Sequence, residues 1–304
     1  MTIVCPVATL PEVATEGLRG THPVNHVMFA SLFSHPLWIV PMNEHQLHEI
    51  ATWFDCFVAT FKTDIPGEQR NYDLKVEHTD RVRGVMERLA ASLDLPPEDR
   101  ALASAIAICH DIGRFPQYRE YRTFNDASSV NHAALAVQTL KAEGILRILD
   151  DADRTVLLQA VALHNAFLLP ENLDPRVRRF VLLIRDADKL DIWRVLIEYF
   201  RSEPGERASA VIWELPDTGA CSVRALEEVI AGRMLNRSLL ATADDFKLLQ
   251  LSWAFDLNFD ESFTILSERG YIDILSGLLP RQPGCREAVA VVTDYVQSRL
   301  FTNR

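Results

Sequence analysis

The chain reads as an all-α protein. Three observations predict this. Apolar residues recur at three- and four-residue spacing in one segment after another. The composition, 48% hydrophobic with 12 glycines among 304 residues, is ample for a packed helical core. One short run, Ala210-Val211-Ile212-Trp213, lies between the turn signals Pro204-Gly205 and Pro216-Asp217-Thr218-Gly219 and reads as a strand or an extended segment. Residues 1–42 read as an N-terminal extension, 43–204 as a helical core and 205–304 as a C-terminal helical segment packed on it. Repeats, low-complexity tracts and long linkers are absent, so one continuous helical unit is expected.

Residues 27–42 contain an apolar run interrupted by Ser31, Ser34, His35 and Pro36. It falls short of the roughly 20 residues a membrane helix needs and lacks a basic leader, so neither a signal peptide nor a span is expected. His22, His26 and His35 have no regular spacing and read as exposed or locally bonded. Regular structure begins near Asn43. Residues 44–61 form a helical pattern with Leu47, Ile50, Phe54, Phe57 and Val58 on one face and His45 and His48 at the surface, followed by a loop through Ile65-Pro66-Gly67. A second helix is expected over 72–93, where Leu74, Val82, Val85 and Leu89 make a stripe and His78 fills its missing place.

Pro96-Pro97-Glu98-Asp99 opens a third helix, since proline and acids are favoured in a first turn. It runs through Leu102, Ile106 and Cys109 to His110-Asp111, with Gly113 as its expected C-cap stop. Residues 114–126 read as a loop rich in arginine and aromatics. Ser128 or Ser129 is expected to cap a helix carrying His132 in its first turn, with Leu135, Val137 and Leu140 behind. Another helix starts near Asp153 and leads through Val156, Leu157, Ala160 and Val161 to His164 on the same face; Pro170 ends that segment. The longest helix is expected over 175–200, and its face Val181, Ile184, Asp188, Ile192, Val195 is apolar except at the carboxylate. Helical patterns resume at 224–235, 243–255, 259–275 and 286–300; these are expected to wall one side of a pocket.

The formal net charge of −11 argues against general binding to nucleic-acid backbones or anionic membranes, so an anionic substrate needs a local basic patch. Cys5, Cys56, Cys109, Cys221 and Cys285 are scattered, odd in number and without a CxxC pair. That suits a reducing, cytoplasmic setting and cysteines that act as buried filler. The sequence is compatible with a homo-oligomer.

A bare histidine or aspartate on an apolar face costs several kcal/mol unless a partner or a metal compensates it. Singly, each has an ordinary explanation, a hydrogen-bonded core histidine or half of an ion pair. Together, His78, His110, Asp111, His132, His164 and Asp188 make a set of six spaced at most by about one helix and its connection, which lets successive helices converge.

At these residues the sequence resembles the HD-domain superfamily of metal-dependent phosphohydrolases, in its two-metal H…HD…H…H…D form. The text around the ligands matches as well: Lys75-Val76-Glu77-His78-Thr79, His110-Asp111-Ile112-Gly113-Arg114-Phe115, Asn131-His132-Ala133 and Arg185-Asp186-Ala187-Asp188-Lys189-Leu190-Asp191. More loosely, the flanking helical segments, including the stretch from Leu251 to Phe259, look like those of full-length bacterial HD proteins. The resemblance implies an HD-domain helical bundle with additional C-terminal helices. It implies that His78, His110, Asp111 and Asp188 hold a first metal, and that Asp111 bridges to a second completed by His132 and His164. Imidazole and carboxylate without thiolate suit two divalent transition ions, Mn, Fe, Co, Ni or Zn. Asp186 is the rival to Asp188, which continues the apolar stripe and aligns with the family's Ala-Asp motif. Asp186 and Asp191 are left as partners for metal-bound imidazoles.

Basic residues cluster near these ligands: Arg114, Arg119, Arg122, Arg185 and Lys189. Arg114 is the first candidate to grip a phosphate, because a guanidinium can form two bonds to it, and Lys189 the second. Arg119 and Arg122 also read as solvated arginines paired with Glu120 and Asp126. Tyr118, Tyr121 and Phe124 either stack on a base or close the loop. Three function classes follow. The leading one is a phosphomonoesterase or phosphodiesterase acting on a small phosphorylated metabolite or nucleotide. The second is an HD-type di-iron oxygenase related to myo-inositol oxygenase, and the third a non-catalytic metal-binding regulatory module.

Overall fold

The computed structural model describes residues 41–201 and 215–301. The expectations for His22, His26 and His35, for nearly all of the apolar run at 27–42 and for the run at 210–213 lie outside the described residues. Those that are described belong to one compact unit beginning at Pro41. It is all-α, with twelve α-helices, a few 3-10 turns and no strand among the described residues.

Helix α1 (Glu44–Ala59) opens on a capping box in which Asn43 and Gln46 exchange side-chain-to-backbone hydrogen bonds. Helix α2 (Pro66–Ser92) starts six residues before the expected position 72, because Pro66 occupies its first turn, where a missing N–H costs nothing. Helix α3 (Pro97–Cys109) follows the predicted proline start. The expected loop after it is mostly helix α4 (Arg114–Tyr121), ended by Arg122 in the left-handed region at φ 57°. Helix α5 (His132–Glu143) is capped by Asn131; Ser128 and Ser129 instead bond Asn125 O around a 3-10 turn. Helices α6 (Asp151–Leu163), capped by Asp150, and α7 (Pro175–Arg201) complete the core, α7 matching α2 at 27 residues.

The Gly113 expectation needs correction. Its φ of −66° is right-handed, and the chain turns through it directly into α4. Glycine is required there by space: a Cβ would lie 2.2 Å from His132 O and 2.6 Å from Ala136 N. The backbone after His110-Asp111 thus rests on the first turn of α5. Phe115 fastens the other side of this turn. It is 1% exposed and sits among Phe54, Phe57, Phe61 and Tyr72, with ring centroids 5.6–6.5 Å away.

Helix α2 packs on α3 and α7, α6 on α7 and α5, and α1 on α3. The C-terminal helices are α8 (Val223–Ile230), α9 (Ala243–Ser252), α10 (Asp260–Glu268), α11 (Tyr271–Gly277) and α12 (Pro283–Phe301). The pattern at 259–275 is two helices, because Gly270 adopts the left-handed conformation at φ 61° between them. The segment is joined to α7 by Trp193, fully buried with its indole donating to Gln250 O at 2.9 Å. A second join is Asp186, whose buried carboxylate accepts from Asn258 N and Nδ2, Phe259 N and Ser262 Oγ at 2.7–3.2 Å. Cys109, Cys221 and Cys285 are buried, and the last two approach to 3.4 Å as free thiols. No helix among the described residues is long and apolar enough to cross a membrane.

Candidate metal centre

The ligand-type residues stand at helix ends and on helix faces that meet at one point. His78 lies mid-way along α2 and Asp188 along α7, His110 and His164 follow the last residues of α3 and α6, and His132 is the first residue of α5. His110 Nδ1 bonds Ala107 O and His164 Nδ1 bonds Val161 O, both at 2.7 Å. In each case the imidazole caps a carbonyl left open at its own helix end. His78 Nδ1 bonds Asp191 Oδ2 and His132 Nδ1 bonds Asp126 Oδ2, again at 2.7 Å.

All four acceptors are oxygens, so every Nδ1 is the donor and every Nε2 is turned inward, where a neutral ring presents its lone pair. His132 and His164 then face each other at 3.0 Å and His78 and His110 at 3.4 Å, Nε2 to Nε2. Lone pairs at that separation repel, and the four histidines are buried. A cation between each pair resolves this, so the donor set fits a divalent metal. Two groups have donor atoms within 4.8 Å of one another: His78, His110 and Asp111, and Asp111, His132 and His164.

Asp111 belongs to both groups through different oxygens. Oδ2 lies 3.6 Å from His78 Nε2 and 3.9 Å from His110 Nε2, whereas Oδ1 lies 3.5 Å from His132 Nε2 and 3.9 Å from His164 Nε2. Asp188 Oδ1 adds an oxygen on the first side, 3.0 Å from His78 Nε2 and 3.7 Å from His110 Nε2. The rival Asp186 points away, into its clasp on residues 258–262. Of the two expected imidazole partners, Asp191 takes that place and Asp186 does not.

Electrostatics favour the metal-binding forms of Asp111, Asp188, His132 and His164. Burial opposes ionisation of Asp111, yet Lys75, Arg114 and the nearby imidazoles hold its carboxyl well below the usual range. Asp188 is also held low, against burial, by His110 and His78. Burial, then His132 and His110, push His164 down to about 3, and burial with Arg114 lowers His132, so both rings are neutral near pH 7. His78 moves the other way: burial and Lys75 oppose it, but hydrogen bonds to Asp188 and Asp191 raise it.

The predicted basic residues divide. Arg114 reaches the centre, with Nε 3.3 Å from Asp111 Oδ1, but its Nη1 is committed to Gln117 Oε1, Phe124 O and Asp126 Oδ1 at 2.6–3.0 Å. Lys189 and Arg185 both bond Asp256 Oδ2 at 2.7 Å, and Arg185 also donates to the carbonyls of His164 and Ala166. Arg119 lies over Phe61 and Arg122 pairs with Glu68, neither facing the ligands. Tyr118 is buried against Asn71, Tyr121 is exposed, and Phe124 faces the cleft.

Several residues beside the centre are not singled out by the sequence. Lys75 Nζ lies 2.7 Å from Asp111 Oδ2; its signal is the three-residue step to His78, one turn along the same face. Asp126 orients both His132 and Arg114, and Asn165 Nδ2 reaches Asp126 Oδ2 at 3.3 Å. In the sequence Asp126 reads only as a partner for arginines, and its place beside His132 depends on the turn before α5. Arg237, from the C-terminal segment, bonds Asn125 Oδ1 at 3.2 Å and lines the cleft.

The centre opens into a cleft of about 600 Å³ walled by Asp111, His132, His164, Asp188, Arg185 and Lys189 on the core side and by Leu249 and Trp253 of the C-terminal segment. A helical bundle holds a buried, convergent His/Asp set that could hold divalent metal at the base of this cleft. Residues 76–193 match the family model described as HD domain. HD-domain proteins are in general metal-dependent hydrolases. No curated protein and no solved structure matches the chain.

Proposed function

We propose that the HD centre binds two divalent transition ions and hydrolyses a phosphoester of a small metabolite or nucleotide. The observation that carries this reading is the two-sided placement of Asp111 between two facing histidine pairs, at 3.5–3.9 Å from all four Nε2 atoms. His78, His110, Asp111 and Asp188 would hold one ion, and Asp111, His132 and His164 the other. Manganese, iron, cobalt, nickel and zinc all suit this donor set. Such ions, when bound, lower the pKa of a water towards neutrality and polarise phosphoryl oxygens.

The protein's own groups have distinct roles. Lys75 and Arg114 keep Asp111 ionised and place two positive charges at the base of the cleft. Arg114, held by Gln117, Phe124 O and Asp126, is rigid enough to orient a phosphoryl oxygen. Lys189 and Arg185 share one carboxylate, Asp256, so together they leave about one positive charge on the facing wall. In a chain of net charge −11 this local basic lining favours a small anionic substrate over a nucleic acid or a membrane. A cytoplasmic setting agrees with this reading.

Purified protein loaded in turn with Mn²⁺, Co²⁺, Ni²⁺, Zn²⁺ or Fe²⁺ is expected to release phosphate from members of a phosphoester panel, and Asp111→Ala to abolish release. Absence of turnover with every metal would remove the hydrolase reading. Native iron with substrate-dependent O₂ uptake would replace it with the oxygenase.

A further inference from the structure

The cleft continues into a second compartment of about 190 Å³, and Lys75, Arg114, Ile192, Arg237, Leu249 and Trp253 line both. Beyond this shared boundary the lining changes character. Its described side chains are Leu74, Phe124, Val195, Leu196 and Phe246, together with His78 at the metal end, with no serine, threonine, asparagine, glutamine, aspartate or glutamate among them. The polar lining groups are Lys75, His78, Arg114 and Arg237, and the first three of these belong to the metal side. Phe124 marks the transition, its ring 5.1 Å from Lys75 Nζ and 5.8 Å from the Arg114 guanidinium.

We infer that this compartment receives the alcohol portion of the substrate, and that the substrate is a phosphoester of an apolar, ring-sized alcohol. The inference rests on the phosphoester reading of the adjoining centre. A sugar or polyol entering here would lose its hydration to aliphatic and aromatic walls in which the Trp253 indole N–H is the one neutral hydrogen-bonding group among the described side chains, a donor with no matching acceptor. A nucleobase would meet the same deficit along its polar edge, because discrimination between bases needs amide or hydroxyl partners. A hydrocarbon ring instead gains by burial, and Phe124, Phe246 and Trp253 give it aromatic neighbours. The rim agrees: Phe167, on the wall of the wider compartment, is 44% exposed. Leu249 and Trp253 are then specificity-determining residues, supplied by the C-terminal segment to a centre built by the core.

The test is equilibrium binding of hydrolysis-resistant ligands to Mn²⁺-loaded full-length protein by titration calorimetry. Phenylphosphonate and 1-naphthylphosphonate are compared with methylphosphonate and adenosine 5′-thiophosphate. The aryl ligands should bind on the order of 10- to 100-fold more tightly than methylphosphonate, and Trp253→Ala and Leu249→Asp should bring that ratio towards one. An aryl ligand no tighter than methylphosphonate on the wild type, or a tighter adenosine ligand, overturns the inference without reference to any variant. Aryl preference together with failure to hydrolyse phenyl phosphate under any metal would sustain the compartment's assignment and remove the hydrolase reading alone.

Discussion

Asp111 carries more of the site than any other residue because its two oxygens face different histidine pairs, while Lys75 and Arg114 hold it ionised. The histidines are equally constrained. Each has an acceptor at Nδ1, two from helix-end carbonyls and two from carboxylates, so none can turn away without leaving a buried polar group unmatched. The same precision makes Gly113 sensitive. In Gly113→Ala the methyl group would collide with the backbone of His132 and Ala136, which no rotamer change relieves. We expect a loss of ~2 kcal/mol or more in denaturant unfolding, accompanied by weaker metal binding, because α5 must shift with His132. Unchanged stability and metal affinity would show that α5 yields freely. The six ligand-type residues are legible in the sequence because each interrupts an apolar stripe or stands at a helix end. Lys75 is not, since a lysine on a half-buried helix face looks like an ordinary surface residue until its neighbour is known. Gly113 misleads because a glycine after a helix signals a left-handed cap, and close approach to another helix leaves no local mark.

At the scale of elements, the site depends on where helices start and stop. α3 and α6 end at His110 and His164, and α5 begins at His132, so three helix termini and the middles of α2 and α7 meet. The proline starts of α3 and α7 are readable, whereas Pro66 reads as part of a loop although it is the first residue of α2. The start of α5 is misplaced onto Ser128 or Ser129 by sequence reasoning, because several capping residues stand in a row and the choice of Asn131 depends on the 3-10 turn before it. Helix α7 also serves beyond the metal centre, since through Asp186 it holds the chain leading into α10. Removal of that carboxylate in Asp186→Ala leaves buried donors from Asn258, Phe259 and Ser262 without their acceptor. The expected cost is about 3 kcal/mol, read by chemical denaturation, with metal stoichiometry retained. Loss of metal at unchanged stability would instead make Asp186 a ligand.

Across the whole molecule, the core supplies the centre and the C-terminal segment supplies part of the cleft wall through Arg237, Leu249, Trp253 and Asp256. The sequence points to such a wall in general terms. Its particular residues are not legible, because Trp253 and Asp256 sit in a 3-10 turn that interrupts the helical periodicity. Asp256 also ties this wall to α7, and it gives the molecule an acid dependence with a definite sign. Burial opposes its ionisation, but Lys189 and Arg185 hold its carboxyl below the ordinary value. The folded form is the stronger acid, so its contribution is fully present above the unfolded value of ~3.9 and is lost as pH falls through the folded one. Wild type should therefore exceed Asp256→Asn in thermal stability at neutral pH, and the gap should narrow as pH drops below ~3.9. A gap independent of pH would contradict the ion-pair account.

The central claim is that Asp111 joins two metal positions, and elemental analysis of natively loaded protein and its variants tests it most directly. Wild type should carry about two divalent ions per chain, His132→Ala and His164→Ala should retain about one, and Asp111→Ala should carry essentially none while remaining folded by circular dichroism. A folded Asp111→Ala that keeps the wild-type metal content, or a wild type that never exceeds one ion, would contradict the two-sided centre.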